Sequence, residues 1–349
     1  MGSLIQMKKR KGRGAPHKTG QEQFRAALRF ARVFQTWYPA VALFALSLLL
    51  SGQSKDAAKN QSKATPPETG DRTRITLDVS RVNMLYTVSD KKGRFVTDLG
   101  KDDFEVFESK KPQAIIEFAA ESDLPLRLAI LIDTSNSIRD RFHFQQEAAT
   151  AFIDSTVRPD HDKAMIVSFD TAAELVADLT SNVADLEKGI ANLRPGGGTS
   201  LYDAIFFACR DKLMEDQPLY KFRRAMVILS DGEDNQSRYT RDQALEMAQK
   251  ADVNVYTIST NITRIESDGD KVLRYFAGET GGQAFFPFKA SDLNQDFENI
   301  ANELRHQYNI FYRPEPLKAD GLYHPVEIRV KNHKDLIVRA RKGYYAPKF

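Results

Sequence analysis

Three short clusters of carboxylate and hydroxyl residues in this 349-residue chain have the types and spacing to converge on one ion. "DTSNS" sets Asp133, Ser135 and Ser137 at alternate positions directly after the apolar run 128–132. In extended backbone alternate side chains point the same way, so the three can aim at one spot. "GGGTS" presents Thr199 behind three glycines, and "SDGEDN" puts Asp231 at the end of another apolar run. All of these donors are carboxylate or hydroxyl oxygens, a set that selects a hard cation, Mg2+, Ca2+ or Mn2+. Two carboxylates balance its charge, and neutral hydroxyls leave it receptive to one more anionic oxygen. Glu233 and Asp234 come closely enough after Asp231 to tune affinity or repel ligands.

Each cluster alone has a plainer use. Ser137 would cap a helix starting at Ile138, Ser200 and Asp203 would form a capping box, and Asp231-Gly232 would make a turn. What favours a shared site is the set of elements that carries them. "LRLAILID", "KAMIVSFD", "AMVILSD" and "VNVYTIST" read as buried strands. Helical spacing separates them over 138–157, 183–193, 200–214 and 241–251, with a last helix near 293–304. "AAELVADLT" reads as a further strand, antiparallel or at an edge. Apolar strands alternating with amphipathic helices predict an α/β fold, a doubly wound, mainly parallel sheet covered on both faces. Ligands of such sheets bind outside the carboxyl ends of the strands, where all three clusters fall.

Outside this unit, taken as residues 123–305, the rhythm is that of β-strands. Period-two alternation with a turn at Gly93 predicts a small β module over 75–122. The tail 306–349 returns to strands in "YNIFYRP", "HPVEIRV" and "DLIVRARKGYYAP", expected to pack with the module or extend the sheet.

The N-terminus has a different character. Residues 1–36 hold nine Lys/Arg against Glu22 alone, so the overall +3 less this +8 leaves −5 for the rest. That mildly acidic remainder argues against a nucleic-acid surface. Residues 37–54 are uncharged and end in small residues, so 1–54 reads as a secretory signal, or as an uncleaved membrane anchor with the bulk outside. Residues 55–74, polar and containing Pro66-Pro67, read as a flexible linker. The expected location is periplasmic, cell-surface or secreted. A single cysteine, Cys209, excludes an intrachain disulfide and a Cys-based zinc site. The glycine run 196–198 lacks the lysine of a phosphate-binding loop, and Ser135 and Ser137 lack the glycines of a hydrolase elbow.

Asp133, Ser135, Ser137, Thr199 and the aspartate of "LSDG", Asp231, together resemble the metal-ion-dependent adhesion site of von Willebrand factor A domains. The resemblance covers about 126–305. It implies a divalent ion, usually Mg2+, with Ser135, Ser137 and Thr199 contacting it directly or nearly so, and Asp133 and Asp231 supporting it directly or through water. The stretches "TDLGKDDFEVFESKKPQAIIEF", "DLPLRLAILIDTS" and "VRARKGYYAP" are similar to a bacterial von Willebrand factor A-related family common in acidobacteria, which implies the same β lead-in and tail.

The expected function is an exported binding module whose cation captures an Asp or Glu carboxylate of a partner protein, and not an enzyme. A metal-assisted hydrolase would need a base or nucleophile to use an activated water, and only Glu233 and Asp234 are at hand. In a third reading, the protein is an envelope component whose ion only staples loops.

Overall fold

The computed structural model describes residues 81–349 apart from 121, 122, 262, 264, 334 and 349. The leader or anchor, the linker and the first strand expected at 75–79 lie outside the described residues. Among those described, no helix is long and apolar enough to cross a membrane.

A six-stranded sheet forms the centre. Its middle strand, β5 (Leu126–Asp133), is buried along its whole length, which explains why residues 128–132 are continuously apolar rather than alternating. β6 (Lys163–Phe169) and β8 (Arg223–Ser230) flank it in parallel, with β9 (Val253–Ser259) and the two-residue β10 (Ala284–Phe285) further out on one side. On the other side β7 (Ala173–Thr180) closes the sheet as an antiparallel edge strand. The register aligns the carboxyl ends of the strands: Ile132 pairs with Leu229 and Asp133 with Phe169, so Asp133 ends level with Ser230, one residue before Asp231.

Helices cover both faces. α1 (Phe142–Thr156), α2 (Val183–Asn192) and α6 (Ala290–Arg305) bury Phe152, Ile190 and Ile300 against Leu128 and Ile130. On the opposite face α3 (Leu201–Ala208), α4 (Arg241–Lys250) and α5 (Asp268–Thr280) bury Ile205, Ala248 and Phe276 against Ala129 and Leu131. Successive β5 side chains thus feed two separate cores. Sequence patterning misses α5. Its start is a capping box, with Ser267 accepting from the Asp270 N–H, and Leu273, Phe276 and Ala277 supply a helical apolar stripe.

The flanking segments form two antiparallel sheets around a third core. One has the order β13–β1–β11–β4 and the other β14–β12–β2–β3. The lead-in supplies β1 (Val82–Ser89), β2 (Phe104–Glu108), β3 (Lys111–Gln113) and β4 (Ile115–Ala119). The tail supplies β11 (Tyr308–Tyr312), β12 (Tyr323–Val330), β13 (Ile337–Ala340) and β14 (Gly343–Tyr345). β1 pairs with both β11 and β13, and β2 with β12, so each of the two sheets is built from both segments. Tyr86, Phe104 and Tyr308 meet in this core with ring centroids 5.2–5.4 Å apart, an arrangement that adds to simple burial. The α/β unit is therefore inserted into a small β module built from both flanks.

Candidate metal centre

Asp133 is the last residue of β5 and is fully buried. One of its carboxylate oxygens accepts from the Ser135 N–H at 2.8 Å, the other from the Ser230 hydroxyl at 2.7 Å. Burial pushes its carboxyl up to about 6, against the pull of the Ser230 and Ser135 hydrogen bonds, and the charge of Asp231 adds to the rise. A carboxylate in such a place normally has a cation beside it. Here every hydrogen-bond partner is a hydroxyl or an amide.

Beyond β5 the chain turns into a 3-10 helix, Asn136–Arg141, that carries Ser137. The Ser135 and Ser137 hydroxyl oxygens lie 2.9 Å apart, and the Ser137 hydroxyl donates to Asp231 Oδ2 at 2.8 Å. Four of the five predicted residues thus form one connected group, with Ser230 as a bridge that sequence reasoning did not single out. Its position directly before Asp231 was the available signal.

Thr199, the fifth, is buried and is tied in through its backbone. Its N–H donates to Asn235 Oδ1 at 3.0 Å, and its carbonyl accepts from the Asn235 and Gln236 amides. The Gly196 amide donates to the Thr134 carbonyl, and the Asn136 amide to the Gly197 carbonyl, so all three loops are latched to one another. Gly198 is needed for this latch: a Cβ there would come within 2.8 Å of Asn235 Oδ1. A second close approach holds the Asp231 turn. Gly232 has a left-handed φ of +80°, and a Cβ on either Gly232 or Gly269 would lie 2.2 Å from a backbone oxygen of the opposite turn.

The turn at Asp231-Gly232 forms, with Asp231 Oδ1 accepting from the Glu233 N–H at 3.1 Å, but the two capping uses do not hold. Ser137 bonds Asp231 instead of capping a helix, and Ser200, at the N-cap of α3, makes no side-chain cap. Asp203 instead receives the Arg238 and Tyr239 amides. Asp234 caps α3 from outside, accepting from the Tyr202 N–H at 3.0 Å and the Ser237 hydroxyl at 2.6 Å. Glu233 points to solvent.

A hard divalent cation fits this donor chemistry. The buried, unpaired Asp133 carboxylate and the contiguous hydroxyls of Ser135 and Ser137 offer oxygens only, and the described residues contain no cluster of three or more His, Cys, Asp and Glu that would suit a softer ion.

Residues 128–233 match the family model of the von Willebrand factor type A domain. No curated protein matches the chain. Among solved structures, a von Willebrand factor type A protein from Catenulispora acidiphila is 14% identical, covering 77% of this chain and 74% of that one with a TM-score of 0.46. Proximal thread matrix protein 1 from the mussel byssus, with a zinc-occupied MIDAS motif, is 16% identical over 55% of this chain and 48% of its own, TM-score 0.44. An aerotolerance-related membrane protein from Bacteroides fragilis is 19% identical over 51% and 98%, TM-score 0.41. None of these findings bears on the narrower acidobacterial resemblance of the flanks. The family match reaches all three converging loops, so it is this part of the chain, residues 128–233, that is similar to a von Willebrand factor type A domain.

Proposed function

We propose that the chain is an exported protein-binding module that captures an Asp or Glu carboxylate of a partner through a divalent cation, Mg2+ in the first instance, held by Asp133, Ser135, Ser137, Thr199 and Asp231. The observation that carries this reading is the Asp133 carboxylate, buried among hydroxyls and amides without a basic side chain. A bound cation supplies the missing positive charge and an exchangeable position for an external oxygen. Asp133 is oriented by Ser230 and the Ser135 amide, while the linked hydroxyls of Ser135 and Ser137 carry no charge that would repel an incoming carboxylate. Of the two acidic residues at hand to activate a water, Asp234 is engaged in capping and Glu233 stands in solvent, which favours binding over hydrolysis.

The test is a calorimetric titration of MgCl2 and MnCl2 into the chain and into Asp133→Ala, and then chelator-sensitive binding of Glu-containing peptides. Saturable binding lost in the variant supports the reading. Absence of ion binding overturns it, and ion binding with raised thermal stability but no carboxylate capture would leave only a loop staple.

A further inference from the structure

Beside the loops of the candidate metal centre lies a cavity of about 210 Å³ that the metal site itself does not use. Its floor is apolar, formed by Phe144 of α1, Leu229 and Ile258 at the ends of β8 and β9, and Leu293 of α6. It opens on the same face as the metal loops. Asp140 and Arg141 at its mouth belong to the 3-10 helix that carries Ser137, and Thr260, another lining residue, donates its amide to the carbonyl of Ser230. An enclosed apolar space of about 150 Å³ is enough to take a benzene ring. This one is larger, and it is open to solvent.

Three features define an occupant. Gln145 lines the cavity, is only 3% exposed, and its side-chain oxygen has no hydrogen-bond partner; the Thr260 hydroxyl is also buried without one. Both oxygens are occluded from the open space, so an occupant meets a mainly apolar wall and is selected by size and shape, which a large flat ring such as indole suits. Of the three charged side chains at the mouth, the basic Arg141 and Lys289 outnumber Asp140, so charge complementarity favours an acidic neighbourhood around that group. A smaller hollow shares Ser259 with the cavity and is walled by Ile265, Phe286 and Phe288; Ile265 and Phe288 are among the large apolar side chains left exposed. Apolar surface therefore continues along this face.

We infer that this cavity is the seat of a bulky apolar side chain, with tryptophan the best match, from an acidic segment of the partner protein, whose nearby carboxylate goes to the cation. The second half of this statement rests on the proposed function; the cavity half does not. The two contacts read different features of one ligand, so an acidic residue alone is a weak ligand and the pair a strong one.

The test has two independent arms, both on the full chain. In the first, N-acetyl-5-fluorotryptophanamide, which has no carboxylate, is titrated in EDTA and in Mg2+ and monitored by fluorine NMR. Saturable binding in both conditions, lost when Phe144→Trp fills the space, is expected; no binding in either condition overturns the cavity assignment. In the second, acetylated alanine peptides carry one Glu and one Trp at increasing separations, with Trp→Ala peptides as controls. At the best spacing Trp is expected to tighten binding in Mg2+ about tenfold, equivalent to about 1.4 kcal/mol. Lys289→Glu, an exposed rim change that keeps the core intact, is expected to weaken the acidic peptide several-fold without changing Mg2+ binding. Trp peptides no tighter than their controls on a Mg2+-saturated protein would overturn the inference while sparing the metal site. A protein that binds no Mg2+ would overturn the metal reading, and the first arm would still decide the cavity.

Discussion

Two of the buried carboxylates among the described residues, Glu108 and Asp133, are treated differently. In the β module, Glu108 accepts from His324 Nδ1 at 3.0 Å and from the Tyr312 and Tyr344 hydroxyls, and His324 Nε2 faces Asp320 at 3.1 Å. Every oxygen of that cluster has a protein donor, including a titratable base. At the carboxyl end of the parallel sheet, Asp133 is buried more completely and has only hydroxyl and amide donors. A buried charge is tolerated where it is paired and costly where it is not. Glu108 therefore reads as structural, and Asp133 as half of a site completed from outside.

The largest expected effect tests the structural half. Glu108→Ala leaves His324 and two tyrosine hydroxyls buried without their acceptor and should cost about 3–5 kcal/mol in denaturant unfolding, with Mg2+ affinity unchanged. A loss of ion binding would mean that the β module and the metal loops are coupled.

Next comes the other half. The folded-state carboxyl of Asp133 titrates near 6 and the unfolded one near 3.8, so the native state without metal holds its proton more tightly. Stability of the metal-free protein should therefore fall as pH rises from about 4 to about 6 and level off above. Asp133→Asn should abolish that slope, raise metal-free stability at pH 7 by up to about 3 kcal/mol, and eliminate Mg2+ binding. Thermal melts across pH with and without chelator decide it; a metal-free Asn variant less stable than the parent at pH 7 would contradict the assignment.

Gly269→Ala should cost about 1–3 kcal/mol as its Cβ meets the Asp231 carbonyl, and should weaken Mg2+ binding by displacing the Asp231 turn. Unchanged calorimetric affinity would show that the turn adjusts freely. Ser137→Ala should have the smallest effect on stability, on the order of 1 kcal/mol, because the two hydrogen bonds lost, to Asp231 and Ser135, belong to an exposed residue. It should still lower Mg2+ affinity, and full affinity in this variant would remove Ser137 from the ion.

Much of this could be read from the chain alone because local chemistry was unambiguous. The centres of β5, β6 and β8, residues 128–132, 164–167 and 225–229, are apolar without interruption, as expected of strands covered on both faces. "DTSNS" comes directly after one of them, so the strand-end rule places it without knowledge of packing. α5 escaped because its two glycines and charged first turn dilute the helical stripe, although the Ser267–Asp270 box was there to be read. The role of Asp234 escaped because the α3 amide it caps lies 32 residues away along the chain.

The amino-acid sequence by itself determined the alternation of strand and helix, the oxygen-only character of the candidate ion ligands and the order of the three loops, since each depends on residue type and near-neighbour spacing. Tertiary structure alone decided that Ser137 reaches Asp231 rather than capping a helix, that Asp133 is left without a basic partner, and that Gly232 meets Gly269. It also decided that the two flanks interleave as sheets and that a cavity opens beside the metal loops. These are contacts between segments distant in sequence, set by sheet register and by helix packing, and no local pattern encodes which distant groups the register brings face to face.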